Sequence, residues 1–204
     1  MCGDNIFTRL NEWADNIANS LRSLGIEFRS FRLGSKVPLD ILSRELSITT
    51  EFNVSSAESI KREINRELGK RVSAILGVPF NREEPDVEVV IDINTGSVET
   101  QVMPIYISAR YRKVHRLVNE EGQVRWPIDR VMQAYGGAED VVIHTGGEDP
   151  MGVRVLGNGR PVILQVIRPS KRPALMMFTH YLGIQTMTLC LTTYPGLGPP
   201  QLLG

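Results

Sequence analysis

The sequence predicts an α+β fold. Two long segments repeat apolar residues at helical spacing, from Ile6 to Leu24 and from Ile60 to Ile75. Several short segments are instead rich in β-branched residues or alternate apolar with polar ones, as strands do. The two kinds follow one another without the strict strand–helix–strand alternation of a doubly wound sheet. Of the 204 residues, 42% are hydrophobic and 23% charged, which excludes a disordered, collagen-like or coiled-coil chain. That length suits one large domain or two small ones. The only cysteines, Cys2 and Cys190, are too few for a disulfide framework and point to a reducing compartment, the cytoplasm.

The first helix is expected over about 5–24. Asp4 is its N-cap, Ile6, Leu10, Trp13, Ile17, Leu21 and Leu24 form its stripe, and Gly25 stops it. IEFRSFRL (26–33) alternates and predicts a strand with one wet face. Pro38 breaks that run, and a short helix follows over about 39–46. Ser55 and Glu58 form a capping-box pair for a helix over 56–76. Its stripe is Ile60, Ile64, Leu68, Val72 and Ile75, and it ends at Gly77 and Pro79.

Val87–Ile93 predicts a strand, Asn94-Thr95-Gly96 a turn, and Val98–Ser108 the returning strand, with Pro104 forcing an edge or a bulge. Pro127 opens a helix that ends near Gly136 and Gly137. Strands are expected around 141–144, 152–156 and 162–167, the last two joined by a tight GNGRP turn. Residues 174–204 contain no charged side chain and hold neither period. The uncharged window is long enough to cross a bilayer, but His180, Gln185 and its threonines argue against a span, so no membrane partner is expected. A shifted reading frame accounts for such a tail; resequencing that returned an unbroken frame would reject it.

The zero net charge hides an asymmetry. Residues 1–107 carry 12 basic and 16 acidic side chains, whereas 108–173 carry 11 basic and 7 acidic. Of the 23 basic residues 18 are Arg, whose planar fork matches phosphate and stacks on bases. A polyanion partner for the middle of the chain follows, unless the charge merely fluctuates along the surface. RYRKVHR (110–116) and RWP (125–127) place Arg110, Arg112, Lys113, Arg116 and Arg125 near Tyr111 and Trp126. Cations contact phosphates and flat rings stack on unpaired bases; the same residues also fit an amphipathic surface loop.

His144–Pro161 (HTGGEDPMGVRVLGNGRP) is the second candidate. Glycines on both sides free the backbone to present the Asp149 carboxylate at a turn, with Arg154 and Arg160 close behind. Neighbouring arginines keep such an acid ionised and nucleophilic at neutral pH. A plain hairpin, with Asp149 capping the turn and both arginines solvated, fits the same residues. His115, His144 and His180 have no ligand-like spacing, and no complete CxxC, phosphate-binding loop, dinucleotide fingerprint or GxSxG elbow is present. No metal site and no small-molecule cofactor are therefore expected.

Taken in order, EFRSFRLGSKV (27–37), SAESIKREINRELGKRV (56–72), PDVEVVIDI (85–93), PIYISARYRKVHR (104–116), QVRWP (123–127) and GGEDPMGVRVLGNGRP (146–161) resemble the archaeal-type tRNA pseudouridine synthases that modify neighbouring T-loop uridines, positions 54/55. The resemblance covers about 2–173. It implies an N-terminal helix over 1–25, left from a zinc-bearing region in which Cys2 would survive as a ligand. It further implies a THUMP-like α/β RNA-binding module over 26–110, the first part of a pseudouridine synthase mixed-sheet domain over 111–173, and an atypical tail over 174–204. By that resemblance the chain is a tRNA pseudouridine synthase, incomplete at both ends. Asp149 is then the nucleophile. Arg110, Arg112, Lys113, Arg116, Arg125, Trp126, Arg154 and Arg160 bind the T-arm. No cofactor is needed. The alternative is a THUMP-type module that binds tRNA without chemistry. Gly147 stands where the family has an arginine, PMG (150–152) lengthens the link after the acid, and the family's later catalytic tyrosine and basic residue have no counterpart. Little isomerase activity is therefore expected of the chain alone.

Overall fold

A computed structural model describes residues 6–52, 58–113, 128–146, 154–172, 180–184 and 187–192. The chain divides into two compact units, Met1–Met103 and Pro104–Gly204.

In the first unit a 3-10 turn (Ile6–Arg9) leads into α1 (Leu10–Ser23). Arg9 flanks the helix start without a side-chain cap, and Asp4, the expected cap, lies outside the described residues. α1 buries Leu10, Trp13, Ala14, Ile17, Ala18 and Leu21. It packs beside α3 (Ile60–Leu76), which buries Ile64, Leu68 and Val72. Both cover one face of a three-stranded sheet, β1 (Phe31–Lys36), β2 (Val87–Asp92) and β3 (Val98–Val102). β1 runs parallel to β2, and β3 returns antiparallel. Phe31, Leu33, Val87, Val89 and Ile91 complete the shared core. α1 is thus an integral layer of this unit and not an appendage before it. The other sheet face is wet and carries the ion pairs Arg32–Glu88 (2.8 Å) and Lys36–Glu99 (2.7 Å).

Three local expectations shift. The first strand spans 31–36 and not 26–33, because β2 pairs with Phe31–Lys36. The segment before it is tied instead by the Asp86 carboxylate, which accepts from the Arg29 backbone N–H at 2.7 Å. α2 (Leu39–Glu51) runs five residues past the expected end. Its Ser43, Ser47, Thr49 and Thr50 hydroxyls donate to carbonyls one turn back, so these poor helix formers are satisfied within the helix. α3 is capped by Ser59, whose Oγ accepts from Arg62 N, and by Glu45 of α2, whose Oε1 accepts from Ile60 N at 2.6 Å. Ser55 lies outside the described residues. Gly77 ends α3 in the left-handed region at φ 69°.

The exposed charges of this unit give it a pH dependence. Lys70 and then Arg71 donate to the Glu67 carboxylate and hold it down to about 2. The backbone N–H groups of Thr95 and Asn94 hold Asp92 below the usual carboxylate range. Both carboxyls are depressed in the folded state, so their contribution is present above the ordinary range and lost as pH falls through it. Both lie at the surface and are only partly covered, which keeps the effect small. The thermal midpoint should fall between about pH 5 and about pH 2, with a shallower fall in the Glu67→Gln/Asp92→Asn double variant. Equal slopes would refute the assignment.

The second unit is a five-stranded antiparallel sheet of order β5-β6-β4-β8-β7. It comprises β4 (Ile105–Lys113), β5 (Asp140–Thr145), β6 (Val155–Ile167), β7 (His180–Ile184) and β8 (Met187–Thr192). α4 (Ile128–Ala134) covers one face and places Val131 and Tyr135 against Ile107, Ala109, Tyr111, Val141, Val162, Leu164 and Val166. Burial raises the Tyr135 hydroxyl pKa above its ordinary value. The backbone carbonyl of Tyr135 accepts from Ser170 N (3.1 Å) and Lys171 N (3.0 Å), closing the chain after β6 onto the helix end.

Two expectations fail here for a shared reason. Val98–Ser108 is not one strand: β3 ends at Val102, and Ile105 onward pairs in the second sheet, so residues 105–110 leave the first unit. GNGRP is not a turn between two strands either, because Val155–Ile167 is one strand with a bulge. In both cases the partner lies far away in sequence. The uncharged tail, whose spacing assigned no element, supplies β7 and β8.

The bulge rests on glycine. Gly157 and Gly159 take φ of 63° and 71°, and a Cβ on Gly159 would stand 2.5 Å from the Tyr111 carbonyl oxygen, whereas one on Gly157 meets nothing within 4 Å. Gly159→Ala should therefore lower stability by about 3 kcal/mol and Gly157→Ala by about 1 kcal/mol. Urea unfolding checks the order, and equal losses would contradict the close approach.

Candidate nucleic-acid interface

Along β4 the side chains alternate. Ile107, Ala109 and Tyr111 enter the core under α4, whereas Arg110 and Arg112 are exposed. Ser108, Arg110 and Arg112 share the face that α4 does not cover. β6 adds Ile163 opposite Ser108 and Pro161 opposite Arg110. β5 adds His144, whose Nε2 lies 2.9 Å from Gln165 Oε1. Neither β4 nor β6 contains an acidic residue, while together they carry Arg110, Arg112, Lys113 and Arg160. On the open face β4 therefore presents Arg110 and Arg112, with no carboxylate from β4 or β6 beside them.

The expected site residues do not all join that face. Arg160 stands opposite Tyr111 in the register and so leaves the sheet on the Tyr111 side. Lys113 is placed by its backbone, paired with Val155 and Met187. Arg154 is exposed, just ahead of β6. Arg116, Arg125, Trp126 and the nucleophile candidate Asp149 lie outside the described residues. Among the described residues no three of His, Cys, Asp and Glu converge as a metal site, and no helix is long and apolar enough to cross a membrane.

Arg110 is engaged. Its Nε donates to the Asn158 carbonyl at 2.7 Å and its terminal nitrogen to the Gly159 carbonyl at 2.8 Å. Composition gave no sign of this, because an arginine in a basic run reads as a phosphate contact. The two glycines were the available signal: a bulge must expose carbonyls, and a long cation on the neighbouring strand can reach them. Gln165 was missed altogether, and His144 read as isolated. Their pairing needs the β5–β6 register, which places them diagonally on one face.

Comparison with known proteins addresses both units. The family model of the archaeal Pus10 THUMP domain matches residues 13–92, from α1 through β2. A protein of Vulcanisaeta distributa named tRNA pseudouridine synthase Pus10 is 87% identical over 173 residues, covering 85% of this chain and 42% of that protein. Proteins of the same name from Caldivirga maquilingensis (37% identical; 93% of this chain, 48% of theirs) and Pyrococcus furiosus (35%; 84% and 45%) are similar as well. The chain spans less than half the length of each of these relatives.

Proposed function

Because the chain belongs to the archaeal Pus10 family of tRNA pseudouridine synthases, we propose that it binds the T-arm of tRNA and takes part in isomerising T-loop uridine, at positions 54/55, to pseudouridine. The observation that carries this reading is the 87% identity to the Vulcanisaeta protein, which extends over 173 residues and so beyond the THUMP match. The first unit is the RNA-gripping module. The second, from Pro104, is the start of the catalytic domain. The setting is the cytoplasm.

Asp149 is the nucleophile in this reading. The target uridine leaves its stack so that the carboxylate can reach it. The bond from the sugar to the ring nitrogen breaks, the base turns, a bond from the sugar to a ring carbon forms, and that carbon gives up its proton while the nitrogen gains one. Substrate and product hold the same atoms, so no oxidant, reductant or co-substrate enters. Arg112, Lys113, Arg116 and Arg125 contact backbone phosphates, Trp126 stacks, and Arg154 and Arg160 line the site.

A second reading is favoured by the extent of the family match, which lies wholly within the first unit: the chain grips tRNA and does no chemistry. One experiment separates the two. The purified chain is titrated with T-arm RNA and then assayed for pseudouridine by mass spectrometry. Binding with conversion supports the first reading, binding alone supports the second, and absence of binding overturns both.

A further inference from the structure

The bulge in β6 has a shape and a surface of its own. Between the pairs Tyr111–Arg160 and Lys113–Val155, one residue of β4, Arg112, faces four of β6, Leu156 to Gly159. A bulge this large leaves backbone polar groups unladdered and costs strand pairing. Two of its carbonyls are taken by the Arg110 guanidinium at 2.7 and 2.8 Å. At its outer end Leu156 is 59% exposed, a large apolar side chain held out into solvent. Arg112, opposite the bulge, and Arg154, two residues before Leu156, are exposed, and no carboxylate lies on either strand.

An exposed leucine on a strand bulge, with Arg112 on the facing strand and Arg154 two residues before it, suits a nucleic acid better than a protein. The cations hold the phosphates, and the apolar tip lies against, or wedges between, bases that have lost their stacking partners. A protein partner would meet uncompensated positive charge around a single apolar side chain. The guanidinium of Arg110 is already bound twice to backbone oxygens, so its charge is directed into the bulge and away from a phosphate.

We propose that Leu156 contacts unstacked bases of single-stranded RNA, and that Arg110 is a positioning residue that holds the Leu156–Gly159 bulge in the presenting shape. This rests on the tRNA-binding reading above and assigns Arg110 a different task from that of its charged neighbours.

The test uses the full chain, a T-arm hairpin with an open loop, and a fully paired RNA duplex of equal charge. Arg110→Ala and Arg110→Lys should both weaken hairpin binding about tenfold and leave the slope of log affinity against log salt unchanged, because neither removes a phosphate contact. Leu156→Ala should weaken hairpin binding by a similar factor and leave duplex binding unchanged. The Arg110→Ala/Leu156→Ala double variant should be no weaker than either single variant within about twofold, since both remove one interaction. Leu156 is exposed, so its variant answers even if loss of Arg110 impairs folding. Wild-type affinity in Arg110→Lys together with a shallower slope in Arg110→Ala would make Arg110 a phosphate contact and overturn the proposal. Equal losses on hairpin and duplex for Leu156→Ala would overturn it too. If the unsubstituted chain binds neither RNA, the tRNA-binding reading falls and takes this one with it.

Discussion

Asp149→Asn should abolish whatever pseudouridine formation the chain supports, by a factor of about 10³ or more, while T-arm affinity stays within about twofold. The substitution keeps the size of the side chain and replaces the anionic, attacking carboxylate by a neutral amide of little nucleophilicity. A nucleophile therefore shows as a loss of conversion without a loss of binding. Single-turnover assays with saturating chain over T-arm RNA read the two quantities separately. The baseline is expected to be low if, as the resemblance implies, Gly147 stands where the family carries an arginine that seats the acid and the flipped base. Gly147→Arg is thus expected to raise conversion, and to do so only when Asp149 is intact. Conversion that persists in Asp149→Asn would move the chemistry to another group. Lost binding would make Asp149 a turn residue that shapes the loop.

What the sequence shows depends on how local each cause is. α1 and α3 are legible because a helix writes its buried face into residues three and four apart: Leu10, Trp13, Ile17 and Leu21 all reach the core, as do Ile64, Leu68 and Val72. β2 is legible for a related reason, since Val87, Val89 and Ile91 alternate inward. β1 is half legible. Its alternation starts earlier than its pairing, and only β2, more than fifty residues on, decides which part becomes ladder. The break between β3 and β4 and the continuity of β6 are of the same kind. From sequence, Pro104 and the GNGRP glycines look like punctuation within strands and turns, whereas one marks the passage between two units and the others a bulge. The basic run of the candidate interface was plain in the sequence. Its division of labour was not, because it depends on which carbonyls lie within reach of each guanidinium.

That division fixes the second large effect. Replacing Arg110, Arg112, Lys113 and Arg116 together by neutral residues should reduce T-arm affinity by about 10²–10³ at low salt, by loss of phosphate contacts and their released counterions. A count of charges predicts that four contacts disappear. With Arg110 donating to Asn158 and Gly159, the expected number is three. Each contact contributes about 0.7–0.9 to the slope of log affinity against log salt, so the slope should fall by about 2–3 units and no further. The affinity should nonetheless fall by more than three contacts explain, because the bulge loses its clamp in the same variant. Restoring Arg110 alone in that quadruple variant should recover the extra loss without changing the slope. A slope that falls by a fourth contact would return Arg110 to the phosphate-binding set, and an affinity untouched by all four substitutions would remove RNA from this face of the sheet.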